Sequence, residues 1–478
     1  MALSVSPTEI VESGEHQLLC KAAHWERVRL GEIANVQNGF AFKSELFDRD
    51  IGTPLIRIRD VNSSETEHRY NGPFDPAYLV RRGDILVGMD GDFKAAHWGG
   101  DEALLNQRVC RLSLKTADYD ERFFFLCLQP FLNAINAETS STTVKHLSSR
   151  SVEDIPLPLP PLPEQHRIVA KIEELFSELD AGTASLTRAR AQLKTYRQAL
   201  LKAAFEGKLT APWREAFKPW RQTRLGDEIT FLTSGSRGWA DHYADQGEIF
   251  IRAQNLKHDR LDLSDIAYVQ LPAGATEGLR TRVQIGDVLV TITGANVTKT
   301  GMVNRDLGTA YVSQHVALCR SGPNLRPEFL YWYLLSETGG RRQLNAAAYG
   351  AGKPGLNLEN IREVTLRLPC LEEQDEIIAH ISALLSDEEN ISQTIQNELA
   401  RITALRQSIL KQAFSGQLVP QDPADESASA LLARLAQAPA PKHRRKTKPW
   451  LTPSFKRSGI SAPPCAMTGW ATAIIWSS

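Results

Sequence analysis

The sequence predicts an α+β protein: two similar globular modules separated by two long helices that pair antiparallel, all arranged as a pseudo-two-fold internal repeat. Three observations predict it. First, the chain matches itself at a shift of 209 positions, with Arg197-Gln198-x-x-Leu201-Lys202-x-Ala204-Phe205-x-Gly207-x-Leu209 falling on Arg406-Gln407-x-x-Leu410-Lys411-x-Ala413-Phe414-x-Gly416-x-Leu418. Glu164-Gln165 falls on Glu373-Gln374 at the same shift. Second, both matched segments carry a long apolar seam. Third, shorter pieces repeat outside them. A period this long, occurring twice, describes two half-molecules and not a solenoid, whose units run 20–50 residues.

Taken in order, residues 1–23 read as an N-terminal extension. They carry acidic residues and no apolar core, which is unlike a signal peptide. Residues 24–157 form the first module and 208–368 the second. Leu30-Gly31-Glu32-Ile33 resembles Leu225-Gly226-Asp227-Glu228-Ile229, and Ile56 to Val61 resembles Ile251 to Leu256. Arg82-Gly83-Asp84-Ile85-Leu86-Val87 resembles Ile285-Gly286-Asp287-Val288-Leu289-Val290, and Asn106-Gln107-Arg108-Val109 resembles Ser313-Gln314-His315-Val316. These short β-branched pieces, bounded by Gly, Asp or Asn, read as strands and turns. Phe123 to Leu128 and Phe329 to Leu335 read as short aromatic helices packed on them. The offsets drift from 195 to 209, so the loops differ in length over a shared scaffold.

The helices occupy 158–207 and 369–416. Ile168, Ile172, Leu175, Leu179, Gly182, Leu186, Ala189, Leu193, Tyr196 and Leu200 step by alternating four and three residues. The second copy reads Ile377, Ile381, Leu384, Glu388, Ile391, Ile395, Glu398, Ile402, Leu405 and Ile409. Such a seam belongs to a helix packed lengthwise on another. Two seams in one chain are most simply buried against each other. Prolines precede both helices, and Gly207 and Gly416 suit left-handed caps. Residues 417–436 form a short C-terminal segment, and 437–478 an irregular tail, expected to be disordered, with Lys442, Arg444, Arg445, Lys446 and Lys448.

Bulk properties are those of an ordinary soluble protein of more than one domain: 42% hydrophobic, 23% charged. Six cysteines, at 20, 110, 127, 319, 370 and 465, make no C-x-x-C pair, which favours a reducing, cytoplasmic setting. No stretch approaches 18 apolar residues, so no membrane span is expected. The net charge of −1 argues against a free-standing nucleic-acid binder, which usually shows a basic surplus. Either the chain does not bind nucleic acid, or its cations gather on one face and a partner supplies further phosphate contacts.

The order of module, Pro-Leu-Pro-x-x-x-Glu-Gln-led helix, module and helix resembles the DNA-specificity subunit of type I restriction-modification enzymes. The residues carrying the resemblance are Pro158 to Gln165, Leu201-Lys202-x-Ala204-Phe205-x-Gly207-x-Leu209 and Leu410-Lys411-x-Ala413-Phe414-x-Gly416-x-Leu418, across about residues 25–435. The doubled helix motifs are the specific part. The second copy departs at Pro369-Cys370-Leu371-Glu372-Glu373-Gln374, where most prolines are missing, and 437 onward fits no family pattern. The resemblance implies a non-catalytic reader of double-stranded DNA: each module contacts one half of a bipartite target while the helices hold the two apart. Two methyltransferase subunits and restriction-translocase subunits would assemble on it. It implies no cofactor on this chain, with S-adenosylmethionine held by the methyltransferase. A specificity subunit of a stand-alone methyltransferase or related restriction system is the alternative.

Catalytic motifs are missing from the sequence. There is no Asn-Pro-Pro-Tyr or Asp-Pro-Pro-Tyr and no Phe-x-Gly-x-Gly loop. Gly350-Ala351-Gly352-Lys353-Pro354-Gly355 imitates a phosphate loop but has Ala347 for its first glycine and Pro354 for the magnesium-binding Ser or Thr. It reads as a loop near DNA. The histidines form no metal cluster, so no metal is expected. Candidate DNA-binding residues are Arg57, Arg59 and Lys94 in the first module and Arg252, Gln254, Asn255, Asn296, Lys299 and Lys353 in the second. They stand at strand ends or in Gly-rich turns and are the types that contact base edges and phosphates. Any one of them could equally be a solvated surface residue or turn former. Gln107 and Gln314, beside apolar strands, read as structural.

Overall fold

The computed structural model describes residues 5–139, 145–212, 219–272, 278–350 and 354–437. Two long helices, Leu162–Phe205 and Leu371–Phe414, have 44 residues each and start and stop 209 positions apart, as the self-match requires. Each is about 66 Å long at 1.5 Å per residue. Pro163 sits in the first turn, where a missing N–H costs nothing. Both helices end in the same left-handed cap. Gly207 (φ 74°) donates its N–H to the Ala204 carbonyl while Lys208 donates to Ala203; Gly416 (φ 69°) and Gln417 do the same to Ala413 and Gln412.

The chain divides into two compact units, residues 1–182 with 401–478, and residues 183–400. Each contains one end of both long helices, running antiparallel. In the first unit Arg406 pairs with Asp180 and lies over the Phe176 ring, and Ile402 faces Gly182. In the second, Arg197 reaches Glu388 and covers Trp332. The seam is buried at Ile168, Ile172, Ile377, Ile381 and Ile395, whereas Tyr196, Ile391 and Leu405 stay exposed.

The first unit holds an antiparallel ribbon of Glu26–Arg29 with Pro156–Leu159. A four-stranded sheet follows in the order Ala34–Asn38, Val109–Leu114, Ile85–Gly88, Ala95–His97. A second sheet runs Phe47–Asp48, Arg69–Tyr70, Thr53–Ile56, Ala103–Leu105, Leu79–Val80. The second unit repeats the ribbon with Arg221–Arg224 and Thr365–Leu368, and the sheet with Ile229–Ser234, Val316–Ser321, Val288–Thr291 and Thr300–Met302. Its other sheet runs Tyr243–Ala244, Ala267–Val269, Glu248–Ile251, Ala310–Val312; among the described residues the fifth strand is reduced to one bridge, Arg282 to Tyr311.

Two local expectations are corrected. Leu30–Ile33 and Leu225–Glu228 are single helical turns and not strands, because Leu30 and Ile33, three apart, both point into the core. The aromatic helix of the first unit runs Glu121–Glu138, straight through Pro130, while its counterpart Pro327–Leu335 stops and a separate helix Gly340–Ala347 follows.

The repeated Glu-Gln dipeptide is the joint between module and long helix. Gln165 accepts from the Asp120 N–H (2.8 Å) and donates to the Pro160 carbonyl (2.8 Å); Gln374 accepts from Arg326 N–H (2.8 Å) and donates to Pro369 (3.0 Å). Asp120 and Arg326 are the N-caps of the aromatic helices, so each glutamine fixes one helix start against another. Glu164 takes the Trp25 indole N–H at 3.0 Å, and Glu373 that of Trp220 at 2.7 Å. All four motif residues are buried. The copies differ at the other oxygen: Glu373 Oε1 accepts from Thr210 (2.6 Å), whereas Glu164 Oε1 has no partner among the described residues, Val419 standing at the position equivalent to Thr210.

Two flanking helices pack onto the first unit. A capping box between Ser6 and Glu9 starts the helix Pro7–Glu12, and Ile10, Leu19 and Leu431 enter that core. The helix Ala428–Gln437 is tied on by Ser429 to Glu26 and Arg434 to Asp118.

Candidate nucleic-acid interface

Both modules build the same edge. Strand Thr53–Ile56 lies parallel to Ala103–Leu105 and ends at Arg57, whose N–H donates to Asp60 Oδ2 (2.9 Å). Strand Glu248–Ile251 lies parallel to Ala310–Val312 and ends at Arg252, whose N–H donates to Asn255 Oδ1 (2.9 Å). A buried side chain three residues on thus turns the chain sharply and leaves the arginine at the rim. Both segments then reach a left-handed residue, Ser64 (φ 55°) and Asp259 (φ 57°). The loops after strands Ile85–Gly88 and Val288–Thr291 contain two more, Phe93 (φ 46°) and Thr298 (φ 68°). These four are the non-glycine residues with positive φ among the described residues, and they fall into two equivalent pairs. Each costs about 1–3 kcal/mol, and such strain concentrates where loops are held for use.

In the second module five of the expected residues come together. Arg252 Nη2 and Gln254 Nε2 both donate to Asp265 (3.2 and 2.6 Å). Asn296 Nδ2 donates to the Ala253 carbonyl (3.4 Å), placing the Gly294–Lys299 loop on the Arg252 turn. Lys299 Nζ donates to Asp259 Oδ2 (3.0 Å). Asn255 is a correction. It is 2% exposed, and its amide donates to the carbonyls of Asp262 and Asp265 while its oxygen is taken by Arg252 N–H, so it braces the turn and has no free atom for a base. Lys353 lies outside the described residues; next to it in sequence, Pro354 accepts from Gly294 N–H through its carbonyl (3.0 Å).

In the first module Arg57 Nη1 and Arg59 Nη2 converge on His68 Nε2 at 2.6 and 3.4 Å. Lys94 is exposed, with its ammonium 3.6 Å from Asp92.

Three features escaped the sequence reading. The first is Asp259, which holds Arg341 (2.6 Å) as well as Lys299 and accepts from Thr300 N–H (3.1 Å). Burial alone would raise its carboxyl; the hydrogen bonds from Arg341, Lys299 and Thr300 and the Arg341 charge outweigh that and hold it below the usual carboxylate range. Its partners lie 40 and 82 residues away, beyond any local pattern. The second is the turn Asn106-Gln107-Arg108. Gln107 and Arg108 are exposed at its tip, closed by Val109 N–H to the Asn106 carbonyl (3.0 Å), and Gln314 is half-buried in the equivalent turn beside exposed His315. The structural reading is corrected for Gln107 alone: the buried strand neighbours Leu105 and Val109 point inward, and the turn between them points out. Gly39 and Gly235 let the turn approach, since a Cβ there would meet Asn106 O at 2.0 Å and Val312 O at 2.2 Å. The third is Asp90, which bonds Arg108 and His146.

Exposed guanidinium, ammonium and carboxamide groups on braced loops are equipped to contact base edges and phosphates. Among the described residues no group of three or more His, Cys, Asp or Glu could hold a metal ion, the five cysteines are free, and no helix is long and apolar enough to cross a membrane.

Comparison with known proteins follows the same lines. A family model for the type I restriction modification DNA specificity domain matches residues 23–188 and 276–401. The EcoBI specificity subunit of Escherichia coli, a type I restriction enzyme component, is 35% identical over 464 residues, covering 91% of this chain and 96% of the relative. The EcoKI specificity subunit of Escherichia coli strain K12 is 26% identical, covering 86% and 94%. A solved chain from a study of complex assembly and conformational transition of the type I R-M system aligns with TM-score 0.62 at 19% identity, over 83% of this chain and 99% of that one, a likeness of fold.

Proposed function

Because this chain belongs to the family of type I restriction-modification DNA-specificity proteins, we propose that it is the non-catalytic specificity subunit of such a complex, each module reading one half of a bipartite duplex target. The observation that carries this is the duplication itself. Two modules share sheet order, joint residues and left-handed positions, yet differ in the side chains at their rims. One scaffold with two sets of rim chemistry suits two different half-sites. The paired 44-residue helices serve as the spacer, a rigid length that becomes a fixed count of unread base pairs.

Partners follow from what the chain lacks. With a net charge of −1, phosphate attraction by this subunit alone is weak, and two methyltransferase subunits and the restriction-translocase subunits supply further contacts and all bond-making. S-adenosylmethionine belongs to the methyltransferase subunits, and the complex works in the cytoplasm. The test is reconstitution. The purified chain should neither transfer methyl groups nor cleave DNA, and both activities should appear on adding the partner subunits. Turnover of S-adenosylmethionine by the isolated chain would overturn this reading.

A further inference from the structure

The first module carries an open groove of about 570 Å³ that includes Phe42, Phe47, Arg57, Asn106, Gln107 and Arg108 in its lining, and no carboxylate lines it. Arg108 is 62% exposed, yet its Nη1 is held 2.6 Å from Oδ2 of Asp90, itself only 12% exposed. Asp90 is in turn fixed through Oδ1 to His146 Nδ1 (2.6 Å) and by a backbone bridge to the same residue. One nitrogen of the guanidinium is therefore anchored, and the Nη2 and Nε edge projects from the turn. That edge is a planar fork matched to the O6 and N7 acceptors of guanine. Next to it, the Gln107 carboxamide is exposed and makes no hydrogen bond among the described residues. Its adjacent donor and acceptor match N6 and N7 of adenine.

We propose that Arg108 and Gln107 are specificity-determining residues of the first module, reading purine edges in the major groove of duplex DNA, and that Asp90 is the positioning residue of Arg108. The inference rests on the DNA-reading function above. Arg57 and Arg59, gathered around His68, then take the phosphates that set register, since their nearest partner leaves their charge uncompensated. The second module cannot read the same bases with this turn. Gln314 and His315 replace Gln107 and Arg108, Thr293 stands where Asp90 does, and Arg252 is covered by Asp265. The glutamine is common to both; the buttressed arginine belongs to the first alone.

The test uses the complex assembled with its partner subunits and fluorescence anisotropy on duplexes substituted one base pair at a time. Arg108→Ala and Arg108→Lys, the latter keeping charge without the fork, should each lose roughly 5- to 150-fold discrimination at one guanine of the first half-site. Gln107→Ala should do so at an adenine of the same half-site, and Asp90→Asn should weaken the same position as Arg108. Discrimination at the second half-site should be unchanged in all four, which also reports an intact fold. Arg108→Ala weakening every duplex alike, with a shallower salt dependence, would make it a phosphate contact and overturn the assignment. Unchanged discrimination would overturn it too. If the wild-type complex showed no sequence preference, the DNA-reading function itself would fall, and this assignment with it.

Discussion

The two modules fasten the same loops in different ways. At the equivalent left-handed positions the first module has Ser64, whose hydroxyl accepts from Gly99 N–H (2.9 Å), and the second has Asp259, which gathers Lys299, Arg341 and the Thr300 N–H. In the first, Arg57 and Arg59 converge on an imidazole, while Arg108 is held by Asp90 and Lys94 lies near Asp92. The second ties Lys299 to Asp259, and Arg252 and Gln254 to Asp265. The duplication thus preserved backbone geometry and let the rim electrostatics diverge. The second module's rim thus rests on two carboxylates, with Asp259 joining three elements of it.

The largest effect should come from removing that carboxylate. Asp259→Ala leaves Arg341, which is largely buried, without its counter-charge and should destabilise the second module by about 3 kcal/mol, against about 1 kcal/mol for Ser64→Ala in the first. Hydrogen exchange resolved by module checks this; equal losses would erase the contrast. Acid should act in the same direction. Asp259 has its folded pKa depressed, so its contribution is present above the unfolded value near ~3.9 and is lost as pH falls through the folded one. The second module should therefore lose stability on acidification below about pH 4, and Asp259→Asn should reduce that pH dependence.

Recognition should divide in the same way. Replacing Asn296 and Lys299 by Ala should reduce discrimination by about 1–3 kcal/mol at the second half-site and leave the first intact, if they touch bases. If Lys299 holds a phosphate, all sequences should weaken together with a shallower salt dependence. Anisotropy on half-site-scrambled duplexes separates the two, and equal loss at both half-sites would mean the modules do not read independently.

The joints offer the smallest and cleanest contrast. Thr210→Val makes the second joint like the first and should cost about 1–2 kcal/mol by leaving Glu373 Oε1 without the threonine hydroxyl. Val419→Thr makes the first like the second, giving Glu164 Oε1 a donor, and should stabilise by about 1 kcal/mol. Denaturation midpoints of the paired variants check both signs.

What the sequence disclosed follows the range of the interactions. The helices, their caps and their 209-residue shift were legible because seam and cap residues act within a few positions of one another. The modules were legible as repeated strands, though Leu30–Ile33 and Leu225–Glu228 proved helical, since four residues are too few for a periodicity to register. The rim was legible in residue type and not in role. Asn255 looked like a reader and is a brace, because its three partners lie in a loop seven to ten residues on and at its own N-cap. Gln107 looked like a strand neighbour and is a turn tip. Asp259 was invisible, since its meaning depends on Lys299 and Arg341 arriving from other elements.

The central claim is that two independent readers are held apart by a helical ruler. One heptad inserted into each long helix, after Arg188 and after Asn397, keeps the seam in phase and lengthens the pair by roughly 10 Å, about three base-pair steps when a 34 Å turn holds ten. Methylation sequencing of DNA from cells carrying the partner subunits with either form of this chain reads the target directly. The account predicts a bipartite motif for the unaltered chain and, for the lengthened one, the same two half-sites with a gap wider by up to three base pairs. An unchanged gap, or altered half-sites at the old gap, would contradict it.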